Sequence, residues 1–116
     1  MPHRRDSVFV AQMVEAAEAA LEFSSGHTAE TFARDRLVAF AVVRAVQLIG
    51  QAARSVSAEL QAAHAEIPWR EMIGMRNIVV HDYADVDLSL VWKTAREDLP
   101  GLVKQLNAIL EEGNIS

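Results

Sequence analysis

Asp35-Arg-Leu-Val-Ala-Phe-Ala-Val-Val-Arg-Ala-Val-Gln-Leu-Ile-Gly-Gln-Ala-Ala-Arg-Ser-Val56 is apolar on more than one side of any helix it could form. Val38, Val42, Ala45, Ile49, Ala52 and Val56 recur in steps of 4, 3, 4, 3 and 4, the spacing of a helical stripe. Leu37, Phe40, Ala41, Val43, Val46 and Leu48 widen that stripe beyond what a surface helix needs. The pattern predicts a long helix from about Asp35 to Ala65, buried on most sides. A chain of 116 residues offers few neighbours to cover such a helix. A dimer that buries part of it is therefore expected.

On either side the chain is also helix-forming. Ala, Leu, Glu, Gln and Arg abound, against only 3 Pro and 5 Gly. Upstream, Asp6 or Ser7 can cap a first helix whose apolar positions are Val10, Met13, Val14, Ala17 and Leu21. Ser24-Ser-Gly-His27 breaks it, and Thr28 can cap a short segment from Ala29 to Arg34. Downstream, Pro68 suits the first turn of a helix running through Trp69 to about His81. Asp82 to Asp85 then makes a turn, and Asp87 or Ser89 caps a last helix. Its stripe is Val91, Ala95, Leu99, Leu102, Leu106 and Ile109, with a kink or break expected at Pro100-Gly101 and an end at Gly113. The expected fold is all-α: one domain over residues 1–116, an up-and-down bundle of four long helices and one short one.

Composition narrows the function. With 51% hydrophobic and 23% charged residues the chain is not of the disordered class. Its net charge of −5 disfavours a general nucleic-acid coat protein, which works by neutralising phosphates, but leaves room for a local nucleic-acid site. The absence of Cys excludes a disulfide scaffold and a thiolate metal site. The uncharged run Ala45 to Ala53 is too short to cross a bilayer. Met1-Pro-His-Arg-Arg-Asp6 is not followed by the apolar core of a signal peptide. A cytoplasmic protein with no membrane partner is expected.

The chemistry concentrates in Arg76-Asn-Ile-Val-Val-His-Asp-Tyr83. Arginine offers a fixed fork of donors to phosphate oxygens. Histidine accepts and donates protons near neutral pH. Tyrosine can position a phosphate or present a hydroxyl. Without a nearby carboxylate cluster, this set suits RNA cleavage without a metal. A base takes the 2′-hydroxyl proton, and the guanidinium stabilises charge growing on the phosphorane. At about 100° per residue, Asn77 and His81 share a helix face, whereas Arg76 and His81 are roughly 140° apart. They can meet one phosphate through the length of Arg76, a helix end near His81, or a site shared between two chains. The plainer alternative is an ion-paired Arg76, a helix-capping His81 and a packed Tyr83, and spacing alone does not decide between them.

From Ile67 to Tyr83, Ile-Pro-Trp-Arg-Glu-Met-Ile-Gly-Met-Arg-Asn-Ile-Val-Val-His-Asp-Tyr resembles the signature of HepT-like proteins of the HEPN superfamily. Ala45-Val-Gln-Leu-Ile-Gly-Gln-Ala-Ala53, Val91-Trp92 and Asp98-Leu-Pro100 extend the likeness over nearly the whole chain. The resemblance implies a helical homodimer with the motif lining a cleft at its interface. It implies a ribonuclease toxin of a type VII HepT/MntA toxin–antitoxin pair that leaves 2′,3′-cyclic phosphate ends. Arg76 and His81 would be the catalytic pair, Asn77 a supporting polar residue, and RNA rather than DNA the substrate. Tyr83 matches the tyrosine that the MntA antitoxin, a minimal nucleotidyltransferase, modifies with AMP from ATP and Mg²⁺. The nuclease itself would need no cofactor or metal. Gln51 departs from the pattern, because the family usually has glutamate there; glutamine keeps the hydrogen bonding and drops the charge. That departure motivates an alternative, a catalytically weak or inactive domain that serves as a binding partner of the nucleotidyltransferase. A plain dimeric helical scaffold is a third possibility.

Other residues fit structural roles. Trp69 and Trp92 suit core or interface anchors, and His27 and His64 suit helix ends rather than metal ligands. His3, Arg4 and Arg5 form a short basic start. Glu15, Glu18 and Glu22 would form a solvated stripe, with docking to a basic partner surface as the less favoured role.

Overall fold

The computed structural model describes residues 5–75 and 87–115, with side chains to residue 112. Helix α1 spans Asp6–Ser24 and packs along α3, Arg36–Ser55, through Val10, Met13, Val14 and Ala17, with the short α2, Ala29–Arg34, between them in sequence. The short helices α4, Ala58–Ala63, and α5, Trp69–Met75, follow. After the undescribed stretch come α6, Leu88–Lys93, a π-helical turn at Thr94–Asp98, and α7, Leu99–Ile115, which returns along α1. The described residues contain no strand, so the expected all-α bundle is the observed one. The basic start before Arg5 lies outside the described residues.

The start of α1 differs from expectation. Neither Asp6 nor Ser7 caps it; Arg5 is the N-cap residue and makes no side-chain cap bond. Asp6 is instead turned inward and only 3% exposed. Its Oδ1 accepts from the backbone N–H of Ser57 at 2.9 Å and its Oδ2 from the Ser57 hydroxyl at 2.6 Å. A buried carboxylate must be hydrogen-bonded, and two donors on one residue meet that need.

The same contact explains a second difference. The expected helix from Asp35 to Ala65 is two helices, broken at Val56-Ser57, where both residues are extended. Ser57 caps α4 by accepting from the Leu60 N–H. The Gln61 amide donates to the Val56 carbonyl at 3.0 Å, which serves one acceptor stranded by the break. Val56 stays buried, so the apolar stripe runs on although the helix does not.

Other punctuation follows the sequence. Gly26 has φ +80°, a conformation that favours glycine, just after α1 ends. Thr28 caps α2 in a reciprocal capping box with Thr31. Asp35 caps α3 through the Val38 N–H. Pro68 sits just before α5 rather than inside its first turn, and its carbonyl accepts the Met72 N–H.

The irregularity caused by Pro100 lies one turn earlier than expected. Proline cannot donate to the preceding turn, and its ring crowds the carbonyl four residues back. The helix answers by widening over Thr94–Asp98, where the Leu99 N–H bonds to the Thr94 carbonyl five residues back. It then runs on through Pro100, Gly101 and Gly113 to Ile115, so Gly113 does not close it. Arg96, on the widened turn, donates to the Leu21 carbonyl and the Ser24 hydroxyl, both at 3.1 Å. It thereby satisfies a carbonyl in the last turn of α1.

Val10, Met13, Val42, Ile49, Leu99 and Leu106 are wholly inside the core. Phe32 is also fully buried, with its ring 5.3 Å from that of Trp92. By length and composition α3 could cross a membrane, a test that the run Ala45 to Ala53 had not met. Half of its apolar window is buried inside the bundle, which accounts for its composition.

Candidate functional site

Arg76, Asn77, His81 and Tyr83 lie outside the described residues; the helices on either side of them do not. On the near side α5 is moored to the bundle. Trp69 is 6% exposed, and its Nε1 donates to the His64 carbonyl at 2.9 Å. Met72, one turn on, is buried, and α5 packs against α3. An indole that buries its rings and satisfies its N–H is a fixed anchor. Arg76 follows the last residue of this helix directly.

On the far side Asp87 caps α6. Its Oδ1 accepts from the Leu90 N–H at 3.1 Å and from the Ser89 hydroxyl at 2.8 Å. These bonds, that from Leu90 foremost, hold the Asp87 carboxyl below its ordinary pKa of 3.8. Because bonding favours the charged form, the cap is intact above the ordinary carboxylate range and is lost as pH falls through the lowered value.

Gln51 is described, and it is exposed on the outer face of α3. It makes no hydrogen bond among the described residues. It lines a groove of about 620 Å³ between α1 and α3. Arg44, Leu48 and Ser55 share its wall, at steps of 4, 3 and 4 along α3. Phe9, Gln12, Glu15 and Phe23 form the α1 wall, and the floor is mostly alanine. The over-wide apolar stripe of α3 thus ends on an open face, where Leu48 is 39% exposed and Leu37 is 81% exposed.

The two described histidines, His27 and His64, lie near helix ends. His64 ends α4, with Nδ1 3.5 Å from Glu66 and Nε2 3.5 Å from Glu112 at the far end of α7. His27 Nδ1 lies 3.1 Å from the Thr31 hydroxyl. No group of three or more His, Cys, Asp or Glu able to hold a metal occurs among the described residues.

Sequence periodicity did not single out the groove. Phe9 and Phe23 fall outside the α1 core stripe, and Glu15 looked like part of a solvated face. An aromatic residue near each end of α1, off its apolar stripe, was the available signal.

Residues 13–109 match the family described as Ribonuclease HepT-like. The chain is 39% identical to "Probable ribonuclease HepT" of Thermococcus cleftensis over 94 residues, 81% of this chain and 86% of that protein. It is 31% identical to "Putative RNase MJ1380" of Methanocaldococcus jannaschii over 109 residues, 94% of this chain and all of that protein. No solved structure matches the chain.

Proposed function

The chain belongs to the HepT-like ribonuclease family, and on that basis we propose that it is a metal-independent endoribonuclease, the toxin of a type VII HepT/MntA-like toxin–antitoxin pair. The observation that carries this is the family match over residues 13–109, a span that contains Arg76, His81 and Tyr83 in their spacing. In this mechanism His81 takes the proton of an RNA 2′-hydroxyl, and the freed oxygen attacks the adjacent phosphorus. The 5′-oxygen leaves with the proton that His81 removed, giving a 2′,3′-cyclic phosphate and a 5′-hydroxyl. Arg76 stabilises the charge on the phosphorane. Asn77 and Gln51 are supporting polar groups. DNA lacks the 2′-hydroxyl and is not a substrate. The enzyme works in the cytoplasm as a homodimer.

Purified chain should cut RNA in the presence of EDTA and leave cyclic phosphate ends, and its expression alone should arrest growth. A second reading is favoured by Gln51, uncharged where the family usually carries glutamate: a weak or inactive domain that binds a minimal nucleotidyltransferase. Uncut RNA and unaffected growth would select that reading.

Control of the toxin falls on Tyr83. Its phenolic oxygen attacks the α-phosphorus of ATP, held with Mg²⁺ by the nucleotidyltransferase, and pyrophosphate leaves. The bulky anionic AMP then repels RNA phosphates. Co-expression with such an enzyme should add one or more AMP units to the intact mass, and Tyr83→Phe should abolish the increment. An adenylylated Tyr83→Phe chain would place the acceptor elsewhere.

A further inference from the structure

We propose that the hollow where α2 meets α3 is an RNA-backbone subsite, in which Arg34 and Arg36 each take one phosphate of the strand that runs into the motif. The inference rests on the ribonuclease reading for its ligand. It gives that enzyme a substrate contact outside Arg76 to Tyr83.

The hollow is open, holds about 520 Å³, and is lined by His27, Thr31, Arg34, Asp35 and Arg36. A sharp joint builds it. α2 ends at Arg34 and α3 begins at Arg36, with the single extended residue Asp35 between them. Both arginines are exposed. Arg34 makes no ion pair or side-chain hydrogen bond among the described residues, although Glu30 stands one turn back on α2. The Arg36 guanidinium stands 5.7 Å from the centre of the Phe40 ring, a cation–π contact that restrains where it can reach. His27 Nδ1 lies 3.1 Å from the Thr31 hydroxyl, and its Nε2 has no partner among the described residues. When Nδ1 accepts from that hydroxyl, the ring proton is on Nε2, a further donor to the hollow.

Charge selects the ligand. Two arginines against one aspartate make the lining +1, on a chain of net charge −5. The Asp35 Oδ1 accepts from the Val38 N–H at 3.1 Å, so its charge is offset by the positive end of α3. Guanidinium forks match phosphate oxygens, and the repeated anions of a nucleic acid backbone suit two of them side by side.

Position suits the same strand. α6 packs against α2 and α3, and its Trp92 ring stands 5.3 Å from Phe32, two residues before Arg34. Asp87, the cap of α6, comes four residues after Tyr83 in the chain. The hollow therefore flanks the helix into which the motif leads.

Fluorescence anisotropy with a single-stranded RNA methylated at every 2′-oxygen tests the inference on the full chain across a salt series. The blocked hydroxyls prevent cleavage, so a chain that binds through the hollow but cuts no RNA keeps this inference and loses the nuclease. A chain that cuts RNA while its hollow variants bind like the parent does the reverse. Arg34→Ala and Arg36→Ala should each reduce the slope of log affinity against log salt by about 0.7, the value of one single-strand phosphate contact. Combined, they should weaken binding by about ten-fold or more at low salt, with helicity unchanged. Arg54→Ala, at the other end of α3, should bind like the parent. A parent that does not bind this RNA, hollow variants with the parent's slope, or an Arg54→Ala chain weakened as much as they are would each overturn it.

Discussion

RNA cleavage by His81→Ala and by Arg76→Ala is expected to fall by about 10²–10⁴ relative to the parent, with the helical signal and melting temperature unchanged. The size follows from the roles. A positioned acid–base group contributes about 10²–10⁴, and a donor aimed at developing phosphorane charge contributes about 10²–10³. The two should not sum in the double variant, because groups that act on one transition state are strongly non-additive. Arg76→Lys should recover little of the loss. Lysine keeps the charge but not the planar fork that matches two phosphate oxygens. The measurement is the single-turnover rate on a defined RNA, with EDTA present. Variants that cut like the parent would remove Arg76 and His81 from the mechanism.

Trp69→Ala should produce the largest loss of stability available from a single residue near the motif. The indole is 6% exposed, and its Nε1 bonds to the His64 carbonyl at 2.9 Å. Truncating a buried tryptophan costs about 3–5 kcal/mol through lost transfer energy and the cavity left behind. In a domain near this size that lowers the melting temperature by at least about 12 °C. Trp69→Phe should lose less, because it keeps most of the apolar volume and gives up the hydrogen bond. Thermal unfolding followed by circular dichroism distinguishes the two. Because α5 leads directly into Arg76, Trp69→Ala should also slow RNA cleavage below the unfolding temperature. A variant that melts like the parent would mean that Trp69 does not anchor α5.

Local signals were legible where a residue acts on its own neighbours. Thr28 caps α2, and Asp87 does the same for α6. Each is a short polar side chain bonded to an N–H three residues on, so sequence spacing reveals it. The widened turn at Thr94–Asp98 was half legible. Proline announces that the ladder cannot close, but not which turn absorbs the defect.

Signals failed where a residue acts on a distant one. The apolar stripe crosses Val56 without interruption, and nothing local requires the break there. Ser57 could be a surface residue in a continuous helix; that it caps a new one depends on Asp6, 51 residues upstream. Asp6 was misjudged for the same reason. An acid at a helix start is ordinarily a cap, and only the packed bundle turns this one inward. The groove was missed because α1 and α3 each look amphipathic alone, while its shape and its opposed Glu15 and Arg44 exist only when the two lie side by side.

The chain alone therefore determined that the protein is helical, that it carries Arg76, His81 and Tyr83 within a stretch resembling the HepT-like signature, and that its greasiest helix has apolar surface to spare. Periodicity and motif spacing are properties of neighbours along the backbone, so they survive without a fold. Where the long helix breaks, which carboxylate is buried, and which face of α3 is left open were decided only by tertiary structure. Each depends on a contact between segments far apart in sequence, whose energy appears only after the bundle has closed.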